Sequence, residues 1–122
     1  MQEVSVIIPN FNGMAYLDGV LAGLECQSVN NFEVILVDNG SSDGSCAFVA
    51  ARYPWVHLIE LPENFGFCKA VNEGIRASRS PYVLLLNNDI EVTENFIEEM
   101  LSAIKRHPKA FSCAARMIQF HD

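Results

Sequence analysis

Short runs of β-branched and apolar residues alternate along this chain with segments whose apolar positions recur at helical spacing. Val4 to Pro9 is the first run, closed by Pro9-Asn10 and followed by Phe11-Asn12-Gly13. From Met14 the period changes: Leu17, Val20, Leu21 and Leu24 fall at i, i+3, i+4 and i+7, one face of an α-helix. Asn30-Asn31 breaks that pattern, and Phe32 opens a second apolar run that ends at Asp38. The turn-rich segment Asn39 to Gly44 carries Ser and Asp suited to a helix N-cap, and a short helix through Phe48 to Arg52 is stopped by Tyr53-Pro54. Val56 to Leu61 predicts a third strand, and Ala70, Val71, Gly74 and Ile75 mark a third helix. Tyr82 to Leu86 is the most continuously apolar strand, which predicts burial on both faces. Thr93 is placed to cap a fourth helix bearing Phe96, Ile97, Met100, Leu101 and Ile104, which His107-Pro108 ends. Ala110 to Phe120 reads as a last strand.

Strands separated by helices imply parallel pairing through right-handed crossovers. The expected architecture is therefore α/β, a Rossmann-like, doubly wound and mainly parallel sheet of order 3-2-1-4 plus a last strand. No repeat, low-complexity tract or linker interrupts it, and 122 residues amount to one domain.

Composition narrows the partners. Half the residues are hydrophobic and 19% are charged, as in a globular chain. Eight Lys plus Arg against fifteen Asp plus Glu give a net charge of -7, which disfavours nucleic acid because its binding rests on cations neutralising phosphates. An anionic small ligand stays compatible if a metal ion or backbone amides carry the positive field. No apolar run approaches the roughly 18 residues of a membrane helix. Met1-Gln2-Glu3 enters a strand with no basic region, so no secretory signal is expected. Cys26, Cys46, Cys68 and Cys113 form no CxxC pair and have no histidine at ligand spacing, so free thiols in a reducing, cytoplasmic setting are expected and a zinc site is not.

Polar residues collect at three strand ends: Pro9-Asn10-Phe11-Asn12, Asp38-Asn39 and Asn87-Asn88-Asp89. With the order 3-2-1-4 these clusters meet in one crevice outside the carboxyl ends of the strands, where open α/β sheets bind ligands. Asp38 suits a ribose hydroxyl or base N–H, or equally a turn carboxylate for the next segment. Asp89 with two carboxamides offers only oxygen donors, which suit Mg²⁺ or Mn²⁺ bridged to substrate phosphates; turns favour the same residues. In the loop Asn64 to Lys69, Gly66 permits close backbone approach, and Lys69 is either a diphosphate or ribose contact or a solvated helix lysine. Glu91 is a weaker candidate than Asp89 for the cation. GxGxxG and GxxxxGK[ST] are both absent. Gly40-Ser41-Ser42-Asp43-Gly44 matches the GxSxG of hydrolases, with Ser42 as nucleophile, but none of His57, His107 and His121 is placed as an obvious partner.

Four blocks in order carry a family resemblance: Val4 to Gly13; Phe32 to Ser45; Asn64-Phe65-Gly66-Phe67 with Ala70, Asn72 and Gly74; and Tyr82 to Asp89. Together they resemble inverting nucleotide-sugar glycosyltransferases with the GT-A fold, glycosyltransferase family 2, in its rhamnosyltransferase-like branch. The resemblance also reads the GxSxG match as the turn after Asp38. It implies that Pro9, Asn10 and Asn12 lie at the nucleotide pocket, that Asp38 holds the base, and that Asn64, Gly66 and Lys69 lie beside the nucleotide. Asn87-Asn88-Asp89 falls at the family's DXD motif, with Asp89 matching the metal-binding carboxylate and Asn87 standing where many members have Asp.

The implied reaction is a direct displacement at the anomeric carbon of a nucleoside-diphosphate sugar, assisted by Mg²⁺ or Mn²⁺, with a saccharide or lipid-linked acceptor as in polysaccharide biosynthesis. The catalytic base and acceptor site belong to a second half of that fold. Residues 1–122 are therefore expected to be a truncated donor-binding domain, with the base beyond residue 122. A half-fold would expose an edge or apolar face, so a homo-oligomer, peripheral membrane contact of a longer enzyme, or a non-catalytic interaction module are also compatible. A sugar-nucleotide-forming nucleotidyltransferase would need a Gly-rich, Arg-containing loop near the N-terminus, which is absent.

Overall fold

The computed structural model describes residues 2–107. The strand expected over Ala110 to Phe120, together with Cys113 and His121, lies outside the described residues. Among the described residues eight elements alternate: β1 (Val4–Asn10), α1 (Met14–Glu25), β2 (Phe32–Asp38), α2 (Ser45–Arg52), β3 (His57–Glu60), α3 (Phe67–Ala77), β4 (Tyr82–Leu85) and α4 (Phe96–Arg106). The four strands form one sheet in the order β3-β2-β1-β4, with every pairing parallel. The expected doubly wound order is therefore the observed one for these strands.

The two central strands are continuously apolar because both their faces are covered. Val4, Val6 and Ile8 of β1, with Val34 and Leu36 of β2, point into a core built by Leu17, Val20, Leu21 and Leu24 of α1, Val49 of α2, and Ile97 and Leu101 of α4. Alternate residues Ile7, Ile35 and Val37 face the other way, onto Ala70 of α3. Gly74 brings α3 close to the sheet: a Cβ there would stand 2.4 Å from Ile7 Cγ2.

The strand with the most uniform apolar character behaves differently. Burial of β4 on both faces was expected, yet Val83 is 41% and Leu85 50% exposed. β4 pairs with β1 alone among the described strands, and Leu85, level with Ile7, lies on the face that α3 covers mainly over β1 and β2.

Helix starts also depart from expectation. α2 begins at Ser45, with Gly44 at the N-cap position in the left-handed region (φ 87°) and the Asp43 carboxylate accepting the Ser45 N–H at 3.0 Å. Asn95, not Thr93, occupies the N-cap position of α4 and makes no side-chain cap bond. Gln27, beyond the end of α1, does that work: its Oε1 accepts the Ile97 N–H at 2.9 Å, while its Nε2 donates to the Thr93 carbonyl at 2.7 Å. A residue 70 positions away in sequence thus satisfies an orphan donor of the helix.

Candidate functional site

Parallel pairing places the carboxyl ends of β1, β2 and β4 on one edge of the sheet, where an open cleft of about 420 Å³ lies. Of the residues singled out in the sequence, Pro9, Asn10, Asn64, Gly66, Asn87, Asn88 and Asp89 line it. Asp89 is the one carboxylate among the lining residues, and it is exposed.

Asp38, Asn12 and Lys69 do not line the cleft. Asp38 is 2% exposed, and its carboxylate ties together the loops that follow β1 and β2. Its Oδ1 accepts Asn10 Nδ2 at 2.9 Å and the Ser41 hydroxyl at 2.6 Å, and its Oδ2 accepts the Ser41 N–H at 2.8 Å. Burial pushes this carboxyl up, but the Ser41 hydroxyl and N–H and the Asn10 amide outweigh it and hold Asp38 below the usual carboxylate range.

Asn12 sits at φ 50°, a left-handed conformation that Asn tolerates, and latches the same loops. Its N–H donates to Ser41 Oγ at 2.8 Å, and its Oδ1 accepts the Ser42 N–H at 2.9 Å. Ser42 is exposed and engaged through its backbone, while His57, at the opposite end of β3 from Glu60, lies roughly 10 Å along the strand from the loops. Lys69 forms an exposed ion pair with Glu73 at 3.1 Å, one turn along α3. Glu91 packs over Gly19 of α1.

Three cleft residues fell within the strand-end clusters and family blocks of the sequence but carried no assigned role there. Asn39 is 5% exposed and grips the opposite loop: its Oδ1 accepts the Phe65 N–H at 3.1 Å and its Nδ2 donates to the Gly66 carbonyl at 2.9 Å. Phe11 and Phe67 are 49% and 57% exposed and present phenyl rings to the cleft. Their signal was an aromatic residue set within polar strand-end loops, where core packing gives no reason for one. Gly66 is needed for its backbone, which adopts φ 93° and ψ 166° at the start of α3.

Cys46 lies behind Asp38. Burial pushes its thiol up, to about 12, and the neighbouring Asp38 and Glu60 carboxylates add to the effect. Iodoacetamide at pH 8 is expected to label the exposed Cys26 and Cys68 of the folded chain and to spare Cys46, because the thiolate is the nucleophile. Peptide mapping by mass spectrometry reads this directly; equal labelling of Cys46 would contradict its packing.

The sequence model of the family described as "Glycosyl transferase family 2" matches residues 5–122. The chain is 29% identical over 116 residues to N-acetylglucosaminyl-diphospho-decaprenol L-rhamnosyltransferase of Mycobacterium tuberculosis, covering 86% of this chain and 38% of that protein. Its fold matches that of S. aureus TarS in complex with UDP-GlcNAc with a TM-score of 0.80 at 21% identity, over 99% of this chain and 39% of TarS. It also matches the Pyrobaculum calidifontis mannosyltransferase PcManGT, in complex with GDP-Man and Mn²⁺, with a TM-score of 0.76 at 24% identity, over 93% of this chain and 36% of that one. The chain spans about a third to a half of the length of the curated relatives it matches. With its four-stranded 3-2-1-4 sheet, its strand-end cleft and a family match across nearly its whole length, the chain belongs to glycosyl transferase family 2.

Proposed function

We propose that this cleft binds a nucleoside-diphosphate sugar and that the chain is the donor-binding part of an enzyme transferring the sugar, with inversion, to an acceptor hydroxyl. The observation that carries this reading is the cleft itself, where two exposed phenyl rings, five carboxamides and one carboxylate of the described residues meet outside the carboxyl edge of the sheet. Phenyl faces suit a nucleobase, which stacks on aromatic side chains with about 1–3 kcal/mol per base. Carboxamides donate to and accept from ribose and sugar hydroxyls alike. The nucleotide sugars bound by TarS and PcManGT support the same reading by analogy of fold.

The donor set also bears on a cation. Among the described residues no three His, Cys, Asp or Glu side chains come together as a metal cluster. Asp89 and the side-chain oxygens of Asn87 and Asn88 are hard donors that would hold Mg²⁺ or Mn²⁺ as a partial set, with further ligands needed from the substrate. A divalent ion held there supplies Lewis-acid stabilisation of the leaving diphosphate. The protein's own part is to hold the donor: Asn39 keeps the Phe65-Gly66 loop against the cleft, and the Asp38 network keeps the first two strand-end loops together. Among the described residues no second carboxylate lines the cleft, so none of the lining residues is assigned as the base that deprotonates the acceptor. The acceptor we propose is a saccharide or a lipid-linked saccharide. No helix among the described residues is long and apolar enough to cross a membrane.

Isothermal calorimetry of the folded chain with UDP-, dTDP- and GDP-sugars, each with and without Mn²⁺, tests the proposal. At least one of them is expected to bind, and more tightly with the ion. A folded chain that binds none overturns it.

A further inference from the structure

Asp38 stands outside the cleft, yet a hydrogen-bond chain links it to a cleft residue on the far side of the sheet centre. Asn10 Nδ2 donates to Asp38 Oδ1 at 2.9 Å, and Asn88 Nδ2 donates to Asn10 Oδ1 at 2.7 Å. The polarity of this chain follows from its first member. An ionised carboxylate only accepts, so the group of Asn10 facing Asp38 is its NH₂. Its carbonyl oxygen then faces Asn88, which must answer with its own NH₂. Asn88 Oδ1 is left over, with no hydrogen-bond partner among the described residues, on a residue that lines the cleft.

A separate feature reserves the space for this arrangement. Gly13, buried just after the β1 loop, lies against the Asn10–Asn88 bond: a Cβ there would be 2.1 Å from Asn88 Nδ2 and 2.3 Å from Asn10 Oδ1. Asn10 itself is 2% exposed, so an amide turned the wrong way would leave a buried polar group facing its like.

We infer that Asp38 and Asn10 are positioning residues that turn the Asn88 side-chain carbonyl toward the cleft, where it receives an electropositive group of the donor complex, either a sugar or ribose hydroxyl or the cation. The identity of that ligand rests on the nucleotide-sugar reading; the orientation of the amide does not. An asparagine whose amide could rotate freely would present oxygen or nitrogen indifferently. Here a charge two side chains away, at the end of β2 on the other side of β1, selects the oxygen.

The orientation is read first by NMR of the ¹⁵N-labelled chain. The Asn88 side-chain NH₂ is expected to be shifted downfield and slowed in exchange, and Asn10→Ala or Gly13→Ala is expected to return it to the behaviour of an amide in water. A freely exchanging Asn88 amide in the wild-type chain overturns the inference. A double-mutant cycle then reads the consequence for binding. With the nucleotide sugar that binds best in calorimetry, Asn10→Ala and Asn88→Ala are each expected to weaken binding roughly tenfold, the size of one hydrogen bond to a charged or polar ligand group. The double variant should be no weaker than Asn88→Ala alone. Losses that multiply would show that Asn10 acts independently of Asn88 and would overturn the relay. Should Asn10→Ala fail to fold, Gly13→Ala replaces it in the cycle with the same expectation. Loss confined to titrations with Mn²⁺ assigns the oxygen to the cation, and loss in both assigns it to a hydroxyl. A wild-type chain that binds no nucleotide sugar overturns the functional reading instead, and the amide protons alone then decide the relay.

Discussion

Asp38→Ala is expected to lower the stability of the chain by roughly 3 kcal/mol, since each buried donor left without its acceptor costs about 1–3 kcal/mol. The substitution strands Asn10 Nδ2 and the Ser41 hydroxyl and N–H at once, and it releases the loops that Asn12 and Ser41 hold together. Urea unfolding at pH 7 measures the effect, and an unchanged midpoint would show that the carboxylate is not the tie between the loops. The same pair of chains carries a pH signature. Asp38 is held below its ordinary value of 3.8, so its contribution to stability is fully present above that value and disappears as the pH falls through the lower folded value. The gap between wild type and variant should therefore be constant from pH 7 down to about pH 5 and should narrow in acid below 3.8. A gap that widened on acidification would reverse the assigned direction.

Asp89→Ala should act on binding and leave the fold alone. Asp89 is exposed and supplies the one carboxylate that the described residues bring to the cleft, so its removal takes away the charge a cation would seek without unpairing a buried group. Mn²⁺ should then cease to strengthen nucleotide-sugar binding, a loss of about tenfold or more if the lost contact is of the usual charged kind, roughly 1.5–3 kcal/mol. Binding without the ion should persist through the phenyl rings and carboxamides, and the unfolding midpoint should stay within about 0.5 kcal/mol of wild type, as for most surface substitutions. Calorimetry with and without Mn²⁺ decides it: an undiminished response to the ion would mean that the cation is held elsewhere. The two aspartates thus make opposite predictions, one on stability and one on ligand response, although each follows an apolar strand.

That contrast marks the boundary between local and tertiary information. The elements were legible because their signals are local. β1 and β2 read as strands because both faces are buried, and α1 reads as a helix because Leu17, Val20, Leu21 and Leu24 share one face. Parallel order followed from the alternation, and with it the meeting of three polar strand ends. The pairing of Lys69 with Glu73 was legible in principle as well, since charges four apart on a helix are neighbours.

What local pattern could not supply was which groups the folded chain covers. β4 carries the same apolar run as the central strands, but its exposure depends on where α3 comes to lie. Asp38 and Asp89 are one residue type at similar positions. A loop crossing from β1 buries the first, while the second stays in the open cleft. Gln27 became the cap of α4, and Asn10 the partner of Asn88 across 78 positions of sequence, only because packing and β1–β4 pairing made them neighbours. By itself the sequence determined the elements, their parallel order and the polar residues at the strand ends, because apolar periodicity and turn chemistry act over a few residues. Only the tertiary structure decided which of those polar side chains brace the loops and which face a ligand, because burial and hydrogen-bond polarity are set by neighbours that the chain brings together from far apart.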